Sequence, residues 1–377
     1  MTQLTAIGLM SDRSLSGVHA ALVVTDGESV IERGPAIHAP YSRDMKIWLR
    51  RAMAAAREAR DGAADIGKAA GEVTYAHAAA VEQLLEEAGV KRTDVDVLGF
   101  HGATILHEPR LGAESYARSW QVGDAAVLAE ETGIDVVSDF RAADIAAGGD
   151  GAPLAPVYYR ALVSGDAGPT AVLSVNETVR FTYVPAPSGC EAGGLQSPAL
   201  LSFEACPGLA MMEEWSAIKT GSLVKRAKPG PGAVAEDRMR MMLLAPYLRR
   251  RPPKTIAPLD FKLDHLIGLE PEDGAATLAA FIANAVNDAQ KFLPEAPAAW
   301  IVCGRGRDHD RLMPALCDVL DAPLTTGEEA GWPGDALEAE CFGFLAVRSL
   351  RKRALSFPTT TRVRMPTLGG VYHRAPK

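Results

Sequence analysis

The chain has 377 residues, with 39 Lys and Arg against 47 Asp and Glu, a formal net charge of −8; 47% of its residues are hydrophobic and 23% charged. That length exceeds one ordinary domain and suits two, and the composition excludes an intrinsically disordered chain. Net acidity without a basic stripe argues against nucleic acid as a partner, apolar runs broken by charge argue against a membrane span, and the start lacks the basic-then-apolar order of a secretory leader, so a cytoplasmic location is expected.

In chain order, Ala6 to Met10 and Gly17 to Val24 read as two strands around a polar turn, with Asp26-Gly27 marking the next hairpin. Helices are expected from about Asp44 to Arg60 and from about Gly71 to Ala88, the second stopped by Gly89. Val95 to Phe100 reads as a buried strand, followed by a helix near Ala125 to Glu131 and a strand at Ile134 to Val137. The plan then restarts: Thr170 to Val175 and Arg180 to Val184 form a hairpin, helix-rich sequence follows, and strand Ala299 to Cys303 opens into Gly304-Arg305-Gly306. A plan of hairpin then alternating helix and strand, used twice, predicts two related α/β lobes with a cleft between them and a boundary near residue 160.

Several local features have plain readings. The five cysteines, Cys190, Cys206, Cys303, Cys317 and Cys341, lack paired C-x-x-C spacing, which argues against a disulfide framework or a zinc knuckle; Cys303, Cys317 and Cys341 read as small apolar filling. His101 and His107 are not spaced as a zincin pair and read as hydrogen-bonded structural histidines, and no metal ligands are assigned. Met211, Met212 and Trp215 beside Glu213 and Glu214 describe an amphipathic helix with one packed face. The run Arg249-Arg250-Arg251-Pro252-Pro253-Lys254 reads as a solvated connector.

The run from Gly8 to Leu22, with Met10-Ser11-Asp12-Arg13-Ser14-Leu15-Ser16-Gly17-Val18-His19, resembles the opening G-[LV]-M-S-G-T-S-L-D-G-V-D of the anhydro-N-acetylmuramic acid kinase family. The likeness continues in order through His101-Gly102-Ala103-Thr104, His107-Glu108-Pro109, Gln121-Val122-Gly123-Asp124, Asp139 to Asp144, Gly148 to Leu154, Pro252-Pro253-Lys254, Val302-Cys303-Gly304, Gly334-Asp335 with Glu338-Ala339, and Phe357 to Thr361. It implies the fold shared by hexokinase, actin and Hsp70 ATPases: two ribonuclease-H-like lobes, residues 1–160 and 161–377, with the last helix packing back toward the first. It also implies a cell-wall-recycling kinase in which ATP, with Mg2+, phosphorylates O6 of an anhydro amino sugar while water opens the bridge. The partner implied is a small-molecule amino sugar; homodimers are common in that family, which leaves a homodimer open for this chain.

By the same resemblance, Asp12, Arg13, Ser14, Leu15, Ser16, Gly17, Val18 and His19 align with a first phosphate turn, Asn176 and Glu177 with a second, and Gly304, Arg305 and Gly306 with the nucleotide turn. His101, Thr104, Arg141, Asp144 and Glu338 align with the sugar side, where an arginine suits the lactyl carboxylate of muramic acid. Glu204, in Glu204-Ala205-Cys206-Pro207-Gly208-Leu209, stands at the aspartate of D-T-G-P-G-N, the family's general base for water.

The motifs also depart from the family. Phosphate turns use glycine and hydroxyl residues so that backbone N–H groups reach the oxygens, yet Asp12 and Arg13 replace Gly and Thr, Ser16 and His19 replace two acids near magnesium, Asn176 and Glu177 replace two glycines, and Arg305 replaces a third. A carboxylate ~4 Å from a phosphate charge costs about 4 kcal/mol at an effective dielectric near 20. Ala103 and Asp150 each replace a sugar-side glutamine. The departures predict an inactive or severely impaired family member; the alternatives are an active kinase forming N-acetylmuramic acid 6-phosphate and a sugar-sensing binding protein.

Overall fold

A computed structural model describes residues 2–11, 14–58, 64–110, 115–163, 168–186, 200–220, 232–257, 260–332 and 334–376. In chain order its elements are β1 (Leu4–Ser11), β2 (Gly17–Thr25), β3 (Val30–Pro40), α1 (Arg43–Arg57), α2 (Ala64–Ala88), β4 (Val97–Glu108), β5 (Arg118–Val122), α3 (Ala125–Thr132), β6 (Val136–Ser138), α4 (Ala142–Ala146) and α5 (Pro156–Leu162). There follow β7 (Thr170–Val175), β8 (Thr178–Val184), β9 (Leu201–Pro207), α6 (Leu209–Thr220), α7 (Glu236–Met242), α8 (Pro271–Ala289), β10 (Ala299–Cys303), α9 (Leu312–Val319), β11 (Leu324–Thr326), α10 (Leu337–Leu350), α11 (Pro358–Thr361) and β12 (Val371–His373). The described residues divide into two compact units, 2–162 with 335–376, and 163–334.

The first unit is built on a sheet of order β12-β6-β4-β1-β2-β3, with β5 paired to β4. Strands β1, β2 and β3 run antiparallel, while β4 lies parallel to β1 and β6 parallel to β4. The second unit repeats this as β11-β10-β7-β8-β9: an antiparallel β7-β8-β9 meander with β10 parallel to β7 and β11 parallel to β10. Each is therefore a ribonuclease-H-like lobe, the fold class the sequence predicts.

Local sequence explains the element ends. Ser42 caps α1 by accepting from Met45 N at 3.1 Å. Asp124, the last residue of the Gln-Val-Gly-Asp motif, caps α3 by accepting from Ala126 N and Val127 N at 2.9 and 3.0 Å, and Gly133 ends that helix at φ 66°. In the first unit α10 lies on β1, β2 and β4 at a separation only glycine permits. A Cβ on Gly8 would stand 1.7 Å from Ala339 O, and one on Gly99 2.0 Å from Phe342 O. The second unit centres on Phe181, stacked on Phe203 and edge-on to Trp300, both at 5.3 Å between ring centres. Met211, Met212 and Trp215 of α6 are buried there as the amphipathic pattern predicts. Among the described residues, no helix is long and apolar enough to cross a membrane.

Two expectations need correction. Cys317 is exposed rather than core filling, whereas Cys206, Cys303 and Cys341 are buried; Cys190 lies outside the described residues. The basic connector is solvated only in part, because Lys254 at its end is 6% exposed.

Helix α10 also carries a buried acid. Glu340 is fully buried; Tyr158 O–H donates to Oε2, and Oε1 has no hydrogen-bond partner among the described residues. Burial raises its pKa from 4.5 to about 7, against the Tyr158 hydrogen bond and the charge of Arg33. The unfolded chain releases this proton near 4.5 and the folded chain holds it to about 7. Across that window the unfolded state binds fewer protons, so stability falls as pH rises, by about 3 kcal/mol from this group. Thermal melts of Glu340→Gln should therefore gain on the parent from pH 5 to about pH 7 and level off above it; a constant Tm gap from pH 5 to pH 7 would contradict the shift.

Candidate active site

On the first unit a polar cluster grows from the pairing of β4 with β5, which sets Thr104 opposite Gln121 and His107 opposite Ser119. Gln121 Nε2 donates to Ser119 Oγ at 2.7 Å and Thr104 Oγ1 at 3.3 Å, and His107 Nδ1 lies 3.3 Å from Ser119 Oγ. His101 Nδ1 faces the Gly102 carbonyl at 3.1 Å, which can only accept, so Nδ1 carries the proton and Nε2 accepts from Arg141 Nη2 at 3.0 Å. Burial, then the Arg141 charge, hold His101 well below the usual histidine range, so it is neutral. Its ring lies 4.3 Å from Phe342 of α10. Glu338 sits one turn before Phe342 and so shares that face of the helix. His101 and Arg141 are thus held together, with the His101 ring against α10.

Asp144 is placed differently. It is 2% exposed, Oδ1 accepts from Gly151 N at 2.7 Å, and Oδ2 accepts from Thr361 Oγ1 at 2.6 Å. Burial raises its pKa, opposed by these donors and Ser356. Asp150, which replaces a family glutamine, accepts two bonds from Arg362 at 2.6 and 2.7 Å and a third from Arg110 N at 3.2 Å. These two acids join the 144–151 loop to the Phe-Pro-Thr-Thr-Thr segment.

Asp12 and Arg13 lie outside the described residues. Of their neighbours, Leu15 and Val18 are core, Ser16 Oγ lies 3.1 Å from His38 Nε2, and the His19 and His38 rings are 4.5 Å apart. Gly17 is a contact glycine, since a Cβ would stand 2.1 Å from Ala39 O. Ser14 and Ser16 remain the hydroxyls of this turn.

In the second unit the turns at 176–177 and 304–306 adjoin. Gly304, at φ 81°, has no room for a Cβ, which would stand 2.7 Å from Val175 O; Gly306 is pressed against the Val175 side chain in the same way. Asn176 Oδ1 accepts from Arg305 N at 3.1 Å. The Arg305 guanidinium turns to Glu213 at 3.0 Å and Glu177 at 3.5 Å, with all three side chains about half exposed. Exposed pairs of this kind contribute only about 0–1 kcal/mol, so Arg305 can leave its carboxylates for a phosphate at small cost. On that ground the turn fits a nucleotide, with Glu177 an additional exposed carboxylate beside it. Among the described residues, no group of three or more His, Cys, Asp and Glu is arranged to hold a metal ion.

Glu204 lies on β9, 8% exposed. Oε1 accepts from Arg180 Nη2 at 3.0 Å and Thr178 Oγ1 at 3.3 Å, and Oε2 accepts from Ile256 N at 2.8 Å. The sequence reading missed Arg180, Lys254 and Tyr247 around it, although Pro252-Pro253-Lys254 was visible as a motif. It also missed Ser119, which joins Gln121, His107 and, at 3.5 Å, Arg141.

A family model for anhydro-N-acetylmuramic acid kinase matches residues 4–374. The chain is 40% identical over 373 residues to an anhydro-N-acetylmuramic acid kinase of Paramagnetospirillum magneticum, covering 98% of this chain and 99% of that one. It is 41% identical over 378 residues to one of Rhizorhabdus wittichii, covering 99% and 100%, and 38% identical over 386 residues to one of Nitrobacter winogradskyi, covering 98% and 100%.

Proposed function

The chain belongs to the anhydro-N-acetylmuramic acid kinase family, and from that premise we propose that it phosphorylates O6 of 1,6-anhydro-N-acetylmuramic acid with ATP while water opens the anhydro bridge. The product of that reaction is N-acetylmuramic acid 6-phosphate. The observation that carries the reading is the match across residues 4–374, with identities near 40% over whole relatives. The comparisons support it better than the expectation of an inactive chain, which rested on the altered turns.

The nucleotide would be held by Asn176, Gly304, Arg305 and Gly306, with Glu177 beside them, and when bound supplies the phosphoryl group, with Mg2+ offsetting its charge. The chain's own residues do the rest. Glu204 takes the proton of the attacking water as the general base. Arg141, oriented by neutral His101, presents its guanidinium to the lactyl carboxylate, and Glu338 accepts from sugar hydroxyls.

The test is ADP release by the purified protein with Mg-ATP and the anhydro sugar, each omitted in turn, with the sugar product identified by mass. ADP formed only with both substrates is the expected result; folded protein that binds neither substrate would sink the reading. Arg141→Ala should raise KM for the sugar about 10–100-fold, the equivalent of one charged hydrogen bond, and leave KM for ATP unchanged in the same assay.

A second reading, turnover far below that of the relatives, is favoured by one feature: both oxygens of Glu204 already accept bonds from Arg180, Thr178 and Ile256. It predicts that both substrates bind, in calorimetric titration, while ADP release stays at background.

A further inference from the structure

Lys254 is buried in a cage of rings, its Nζ 4.7 Å from the centre of Tyr247, 4.9 Å from Phe292 and 5.7 Å from Phe203. Nζ donates to the carbonyls of Tyr247 at 3.2 Å and Leu248 at 3.3 Å. The other end of the same residue reaches Glu204: Lys254 O accepts from Glu204 N at 3.0 Å, and two residues on, Ile256 N donates to the Glu204 carboxylate at 2.8 Å. Tyr247 closes the circuit by donating its O–H to Glu204 O at 2.7 Å.

Burial lowers the pKa of Lys254 from 10.5 to about 8, so the charge is carried at a cost that a methionine of similar shape would not incur. Among the described residues its partners are carbonyls and rings, with no ion pair to stabilise. What it fixes is where the 254–256 segment runs, and that segment holds Glu204 by backbone and side chain.

We propose that Lys254 is a positioning residue for Glu204, setting the carboxylate's place through the 254–256 segment. This rests on the reading of Glu204 as the base. The experiment is a double-mutant cycle of Lys254→Met and Glu204→Gln, read by steady-state kinetics and by amide exchange at Ile256. Lys254→Met should lower kcat about 10–100-fold, the effect of a base displaced by about an ångström, with both KM values within about twofold. In the Glu204→Gln background the same change should cost less than about twofold, because residues acting through one group are not additive. Exchange at the Ile256 amide should quicken in Lys254→Met without substrates. Equal losses in both backgrounds, or an Ile256 amide as protected as in the parent, would overturn the proposal. If Glu204→Gln itself leaves kcat unchanged, the base assignment fails, and the amide measurement alone then decides whether Lys254 places this segment. Should Lys254→Met not fold, Tyr247→Phe removes only the O–H at Glu204 O and is held to the same kinetic and exchange criteria.

Discussion

Glu204→Gln is expected to lower kcat by about 10²–10⁴-fold, the usual contribution of a positioned general base. The substitution keeps the side chain's length and one oxygen for the Ile256 N–H, so the local backbone has no reason to move. What it removes is the capacity to take a proton and the ion pair with Arg180, whose side chain is 29% exposed. The companion variant is Glu204→Asp, which restores the family's shorter carboxylate; it should keep measurable turnover, because Thr178 and Arg180 can follow a carboxylate that withdraws by one methylene. Steady-state kinetics on both variants decide the matter. Glu204→Gln within about threefold of the parent would remove Glu204 from the chemistry, whatever the Asp variant does.

The largest effect on folding is expected at Gly8. In Gly8→Val the new Cβ would stand 1.7 Å from Ala339 O and 2.5 Å from Gly343 N, both backbone atoms of α10. Neither can yield by a rotamer change, so helix and strand must separate. Separation uncovers Ala339, Leu337 and Phe342 of α10 and the apolar face of β1. A loss above about 4 kcal/mol is expected, in the exceptional class for a single substitution, seen as a chain recovered insoluble or melting far below the parent. Gly67→Ala is the control: a Cβ there meets nothing within 4 Å, and the change should hold or slightly raise Tm because alanine suits a helix better than glycine. A Gly8→Val protein that melts with the parent would mean α10 does not rest on β1.

The hairpins, the strands Val95 to Phe100 and Ala299 to Cys303, and the twofold plan were legible because buried central strands write themselves as apolar runs. Strands β5, β9, β11 and β12 escaped notice and β3 was indicated only by the Asp26-Gly27 hairpin; β3 and β9 are sheet edges. Each carries proline and charge, Pro35 with Glu32 and Arg33 in one and Pro207 with Glu204 in the other, which an edge tolerates and a central strand does not. Helix α2 begins at Ala64 rather than Gly71 because both of its early glycines face open space and cost only propensity. The motifs pointed to His101 and Arg141 in the first unit and to Glu204 in the second. Their partners were out of reach of sequence, because pairings such as His101 with Arg141 and Arg180 with Glu204 join residues 40 and 24 positions apart. Lys254 shows the same limit from the other side. A lysine after two prolines in a basic run looks solvated, and only the placement of Tyr247, Phe203 and Phe292 shows that it is enclosed.

The glycine contact between β1 and α10 also sets an order of events during synthesis. Gly8 and Gly99 leave the ribosome early, yet the helix that covers them spans Leu337–Leu350, and the edge strand Val371–His373 comes later still. The described residues of the second unit all lie between 163 and 334, and its five strands are made before residue 335. The unit that begins first is therefore expected to finish last, waiting with an uncovered sheet face until the final stretch of the chain emerges. A ribosome stalled near residue 334 should accordingly display a protease-resistant second unit attached to a protease-sensitive first one, and release of the remaining residues should be what makes the whole chain resistant.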